Sequence, residues 1–169
     1  MSTNNRIVSI VDDELDITQL YQDAIYGKIN GISVVCFNNP VTALEHFIEN
    51  KKDYALVISD LRMPNLNGLD LLKKIKLLNS NVRTILVSAY EVKEDEVFQK
   101  YTKEGIIDLF IEKPIPIDWL RQKVREQVKA YEQRMNEWIT VALQQIIDMN
   151  LQFETVILNI EQNKHMFVL

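Results

Sequence analysis

Five short apolar runs mark the first two thirds of the chain: IVSIV from Ile7, ISVVCF from Ile32, ALVIS from Ala55, TILVS from Thr84 and IIDLFI from Ile106 to Ile111. Each is rich in Val and Ile and lacks strict polar alternation, which predicts strands buried on both faces. Between them the apolar positions take helical spacing. The first interval has Leu15, Leu20 and Ala24; the second has Ala43, Leu44, Phe47 and Ile48; the third has Leu69, Leu71, Leu72, Ile75 and Leu78. The fourth is polar apart from Val92, Val97, Phe98 and Tyr101. Alternating strands and helices predict a doubly wound α/β domain with a five-stranded parallel sheet. In such sheets working groups collect beyond the carboxyl ends of the strands, near the point where strand order reverses.

From Asp118 onward there is neither Pro nor Gly. The apolar residues Leu120, Val124, Val128, Tyr131, Met135, Trp138, Ala142, Ile146, Met149, Phe153, Val156 and Ile160 form one stripe of a long helix. Its mean step is about 3.6 residues, so a coiled coil built on it would be nearly straight or slightly right-handed. The stretch around Asp148 to Asn150 is the place where the helix would break if it folded into a hairpin. The expected organisation is therefore a domain over residues 1–117 and a helical extension over 118–169. Three covers would serve the stripe: a second copy of the chain, the chain's own first domain or another protein. Dimerisation is the favoured expectation.

Composition narrows the function classes. With 47% hydrophobic and 25% charged residues the chain can bury a core. The net charge of −5 gives no global attraction to nucleic acid or to anionic lipid. The extension carries six basic and seven acidic residues, too balanced for a DNA-binding module. Cys36 is the single cysteine and lies within an apolar run, which predicts a packed thiol. The opening MSTNNR is not an export signal, and no run is apolar enough to span a bilayer, so the expected location is cytoplasmic.

The candidate chemistry stands at the strand ends. YALVISDLRMPNLNG carries a buried run straight into Asp60 and a loop; Asp12, Asp13 and Glu14 follow the first run, Ser88 and Ala89 the fourth, and Lys113 with Pro114 the fifth. Clustered carboxylates need a cation, and one or two carboxylates with water suit Mg²⁺. There is no Gly-rich turn for a dinucleotide and no Gly-flanked Lys for a nucleotide phosphate. A carboxylate beside Mg²⁺ and an ammonium is a competent phosphoryl acceptor, which makes Asp60 the candidate nucleophile.

Taken together and in order, VDDE, SDLRMPNLNG, VSAY and DLFIEKP over about residues 5–117 resemble the receiver domain of two-component response regulators. The resemblance implies a flavodoxin-like fold of receiver type in which Asp60 takes a phosphoryl group from a phosphohistidine on a sensor histidine kinase. It implies Mg²⁺ held by Asp12, Asp13, Asp60 and the Arg62 backbone carbonyl, with Ser88 and Lys113 meeting the phosphoryl oxygens. Ser88 and Phe110 match the switch pair, which reshapes the surface of the fourth helix, fifth strand and fifth helix for a downstream protein. Arg62 and Tyr90 match positions that tune loss of the phosphoryl group by hydrolysis. Phe110 has no hydroxyl, so its inward state would rest on packing alone.

Simpler readings stand beside these. Asp12 and Asp13 would also suit the start of a helix, and Lys113 and Ser88 a solvated loop and a turn. Met63 and Pro64 are expected to shape the loop, and Gly68 to supply a backbone conformation that other residues resist. His46 and His165 have no partner cluster and are expected to pack or face water. Two other functions remain open: a Mg²⁺-dependent aspartyl phosphatase of haloacid dehalogenase type, whose second Asp would fall where Arg62 stands, and a DNA-binding regulator acting through the extension.

Overall fold

A computed structural model describes residues 5–92 and 94–166 of the chain, with side chains as far as 161. The elements run β1 (Arg6–Val11), α1 (Leu15–Ile25), β2 (Ile32–Phe37), α2 (Pro40–Asn50), β3 (Tyr54–Asp60), α3 (Gly68–Leu78), β4 (Arg83–Ser88), α4 (Glu96–Lys103), β5 (Leu109–Glu112) and α5 (Ile117–Met166). The strands form one parallel sheet in the order β2-β1-β3-β4-β5. This is the doubly wound fold that the apolar runs predicted. The chain divides into two units between Glu132 and Gln133.

Alternate residues of each strand feed two cores. Val8, Ile10, Leu56, Ile58, Ile85, Val87 and Ile111 face α1 and the first turns of α5, through Tyr21, Ala24, Ile25, Leu120, Val124 and Val128. Val11, Tyr54, Val57 and Leu86 face α2, α3 and α4, through Ala43, Phe47, Leu71, Leu72, Ile75, Phe98 and Tyr101. A sheet covered on both faces needs apolar side chains pointing both ways, which is why the runs show no polar alternation. Three helix starts carry side-chain caps: Asn39 accepts from Val41 N, Asn67 from Asp70 N and Asp95 from Phe98 N. Cys36 packs as expected, with burial pushing its thiol up to about 11. His46 also packs, its ring nitrogen 2.7 Å from the Tyr54 hydroxyl. His165 lies outside the residues whose side chains are described.

Several sequence expectations are corrected. The last strand begins at Leu109 rather than Ile106, because the Ile106 and Ile107 N–H groups both donate to Tyr101 O at the end of α4. Both isoleucines are buried without joining the sheet. The inner face of α1 is Thr18, Tyr21, Ala24 and Ile25, whereas Leu15 and Leu20 are exposed. Ile48, Leu78 and Val97 likewise point outward. No break occurs at Asp148 to Asn150: α5 passes through that stretch as helix, since neither Pro nor Gly interrupts its backbone bonds.

One charged cluster pins β4 to β5. Asp108 pairs with Lys76 and Arg83, each at 2.7 Å, and accepts from Thr84 N at 2.9 Å, with all three charged side chains largely out of water. Truncating one member of a buried ionic cluster leaves its partners uncompensated. Asp108→Ala is therefore expected to lower stability by about 3–5 kcal/mol, measured as a shift in the urea midpoint at unchanged slope.

Candidate functional site

Strand register places the site. Val11 pairs with Ser59, Asp60 with Val87, and Ser88 with Glu112, so β1, β3, β4 and β5 end almost level. Strand order reverses between β1 and β3, which puts Asp12 and Asp60 side by side at the switch point. Lys113, one residue past β5, reaches across: its Nζ donates to Asp12 Oδ2 at 2.8 Å and to Asp60 Oδ1 at 2.7 Å. Burial alone pushes this ammonium toward losing its proton, but the hydrogen bonds and attraction of the two carboxylates outweigh it and hold it above the ordinary lysine range.

Each group is oriented by backbone. Asp60 Oδ2 accepts from Arg62 N at 2.7 Å. Asp12 is buried, and its Oδ1 accepts from Glu14 N at 3.0 Å, in the turn that leads into α1. It does not cap the helix: the N-cap position is Glu14, and no side chain caps α1. Asp13 is exposed on the rim. Ser88 is buried, its Oγ accepting from Tyr90 N at 2.9 Å and its carbonyl from Lys113 N at 2.8 Å. The Arg62 guanidinium lies 3.5 Å from the centre of the Tyr90 ring, tying the loop after β3 to the loop after β4. Phe110 is half-buried, edge-on to Phe98 with ring centres 5.1 Å apart. A cleft of about 640 Å³ opens alongside, walled by Asp13, Arg62, Met63, Leu86, Tyr90 and Phe98.

Gly68 corrects an expectation. Its backbone is ordinary, and the left-handed positions among the described residues are Gly27, Gly31, Gly105 and Asn65. What Gly68 supplies is room: a Cβ there would land on the Asp60 carbonyl and crowd Ser59 Oγ. Sequence reasoning also passed over Asn38. Its side chain donates to Asp12 O at 2.8 Å and to Thr18 Oγ1 at 3.1 Å, bracing the acidic strand end from the neighbouring strand. The signal was available, since Asn38 follows β2 as Asp12 follows β1. Tyr21 was missed as a neighbour of the cluster; burial first, with Asp12, Asp60 and Glu14 adding to it against Lys113, pushes its phenol up.

The donors that the resemblance names for Mg²⁺ are all hard oxygens. Among the described residues no three acidic, His or Cys side chains come together in a group that could hold a metal ion. Two carboxylates, a carbonyl and water suit Mg²⁺, an ion that keeps much of its hydration. Asp12 and Asp60 against one ammonium, with Asp13 on the rim, leave a net negative charge that a divalent cation would neutralise. The residues fit the group.

The family model described as the response regulator receiver domain matches residues 8–125. The chain belongs to the response regulator receiver family. The receiver is 30% identical over 127 residues to sporulation initiation phosphotransferase F of Bacillus subtilis, covering 75% of this chain and 94% of that protein. It is 32% identical over 122 residues to a cyclic di-GMP phosphodiesterase of Thermotoga maritima, covering 72% of this chain but 31% of that protein. A match to the transcriptional regulatory protein ZraR of Klebsiella oxytoca, at 31% identity, spans 75% of this chain and 27% of that one. Among solved structures, a response regulator receiver domain protein from Methanospirillum hungatei aligns with a TM-score of 0.66 at 25% identity, over 77% of this chain and 98% of that one. No helix among the described residues is long and apolar enough to cross a membrane.

Two substitutions test the site's construction. Lys113→Gln leaves Asp12 and Asp60 facing each other without their cation and is expected to cost about 3 kcal/mol in urea unfolding at neutral pH. Because the folded state raises the lysine's pKa, the wild-type advantage is fully present below about 10.4 and disappears only as pH rises beyond it. The gap between the two proteins should therefore be flat from about pH 6 to 9. Gly68→Ala, which forces the Asp60 backbone to shift, is expected to cost about 1–3 kcal/mol by the same measurement.

Proposed function

We propose that this receiver accepts a phosphoryl group on Asp60 from a phosphohistidine of a sensor histidine kinase. The observation that carries the reading is the Lys113 bridge, which holds one acceptor oxygen beside Asp12 and an ammonium at the open end of the sheet. In the transfer a carboxylate oxygen of Asp60 forms a bond to phosphorus as the phosphorus–nitrogen bond breaks, and the histidine leaves with that electron pair. Lys113 faces the charge on the transferring group, and the Ser88 hydroxyl turns from Tyr90 N toward a phosphoryl oxygen. Asp12, Asp13, Asp60 and the Arg62 carbonyl would hold Mg²⁺, which when bound neutralises phosphoryl charge.

Movement of Ser88 would bias Phe110 between its contact with Phe98 and a more buried position, a local charge change acting on a two-state packing element. Arg62 and Tyr90, stacked at the mouth, would slow entry of hydrolytic water. Output is assigned to protein contact, through the α4, β5 and α5 surface and the extension over 118–169. No turnover is assigned beyond gain and loss of the receiver's own phosphoryl group. The haloacid dehalogenase reading needs an acid–base carboxylate two residues past Asp60, where Arg62 instead stacks on Tyr90. The exchange is assigned to the cytoplasm.

Asp60→Asn is expected to abolish labelling by a small phosphoryl donor such as acetyl phosphate in Mg²⁺, read on a phosphate-affinity gel, while thermal unfolding stays cooperative. A normal labelling yield in that variant would refute the acceptor assignment. Sustained hydrolysis of small phosphate esters by the wild type would refute the switch in favour of an enzyme.

A further inference from the structure

Beyond Gln133, α5 presents an unusual surface. From Trp138 to Ile160 thirteen large apolar side chains are exposed, from Ile139 at 46% to Trp138 and Phe153 at 64%. At roughly 90 Å² apiece they amount to on the order of 1,200 Å², against about 300–600 Å² for the largest apolar patch of an ordinary monomer.

These residues do not lie on one seam. Trp138, Ile146, Met149, Phe153, Val156 and Ile160 make the first stripe, and Leu143, Ile147, Leu151 and Leu158 a second. At about 100° per residue the second runs roughly 150° round the helix from the first. A two-stranded coiled coil buries a single narrow seam and would leave the second stripe in water. Helices apolar on two sides are covered from two directions.

The charges indicate what covers them. Between 135 and 161 the charged residues are Glu137, Asp148, Glu154 and Glu161, and much of the remaining polar face is neutral, with Gln144, Gln145, Gln152, Thr155 and Asn159. Asp148 is engaged within the helix, accepting from Gln144 Nε2 at 2.8 Å. Partner-selective helices carry rims of charge that attract one partner and repel others. This helix has no such alternating rim, and its sparse acids offer little repulsion between copies. Two copies together present about 2,400 Å², within the roughly 2,000–5,000 Å² that permanent, apolar interfaces between copies of one chain bury.

We propose that residues 135–161 of at least three copies of this chain pack into one helical bundle. The proposal builds on the reading of the extension as the protein-contact element. Light scattering on the full chain at tens of micromolar is expected to give at least three times the single-chain mass. Ile146→Glu with Phe153→Glu should lower that mass at least threefold, to the single chain. Ile147→Glu with Leu151→Glu, on the second stripe, should also lower it. A mass of one or two chains for the wild type, or an unchanged mass for the second-stripe variant, would overturn the bundle. Asp60 labelling by acetyl phosphate, measured on the same samples, checks that the receiver is folded in each variant. Loss of labelling with assembly intact would count against the acceptor reading and leave the bundle standing.

Discussion

Two carboxylates side by side at the end of a parallel sheet repel each other as burial strips away their water, and the ammonium of Lys113 between them is what makes the arrangement tenable. The three groups come from β1, β3 and the segment after β5, with about fifty residues of chain separating each from the next. Their meeting depends on strand order, because β3 must sit beside β1 with its carboxyl end level. Lys113 in turn anchors its own backbone to Ser88 O, so the ion bridge and the β4–β5 ladder support one another. Burial works against the ammonium and the paired carboxylates overcome it. A charge held this firmly suits the phosphoryl transfer proposed for Asp60.

The surroundings leave Asp60 held yet reachable. Gly68 lets α3 start against the Asp60 backbone without a side chain between them, and Arg62 N takes one carboxylate oxygen. Asn38 braces Asp12 from β2. Above these fixed groups, Arg62 and Tyr90 are exposed side chains joined by a cation–π contact, an interaction worth about 0.5–1 kcal/mol at an exposed site. Rigid donors therefore lie below Asp60 and an easily parted stack beside it. The transfer proposed for Asp60 needs positioning, and passage of its donor needs a mouth that opens at little cost.

α5 shows one periodic pattern meeting two environments. Leu120, Val124, Val128 and Tyr131 are buried, the first three against β1, β3 and α1, and the same spacing beyond Gln133 meets solvent. The early turns are stabilised by burial against the sheet. The later turns have helical propensity and backbone bonds but bury none of their large apolar residues in the single chain. That imbalance leaves the extension as the part of the molecule with the least apolar burial to stabilise it.

Much of the fold was legible because a buried parallel strand has a strong local signature. Four of the five runs match strands to within a residue, and the carboxyl-end rule then named Asp12, Asp60, Ser88 and Lys113 as residues that the sheet would bring near one another. Where local pattern misled, a tertiary partner decided. Ile106 and Ile107 look like strand, but Tyr101 O takes their N–H groups. Leu15 and Leu20 look like a core face, but the packing direction of α1 buries Thr18 and Tyr21. Gly68 reads in sequence as a turn glycine, and only its distance from the Asp60 carbonyl shows that the missing Cβ is the point. Sequence by itself determined the element types, the polar residues that stand at the strand ends and the long apolar stripe, because these follow from periodicity and residue chemistry. Tertiary structure decided which oxygens share the ammonium, which face of α1 is inside and where the stripe passes from core to solvent, because each depends on atoms far apart in the chain.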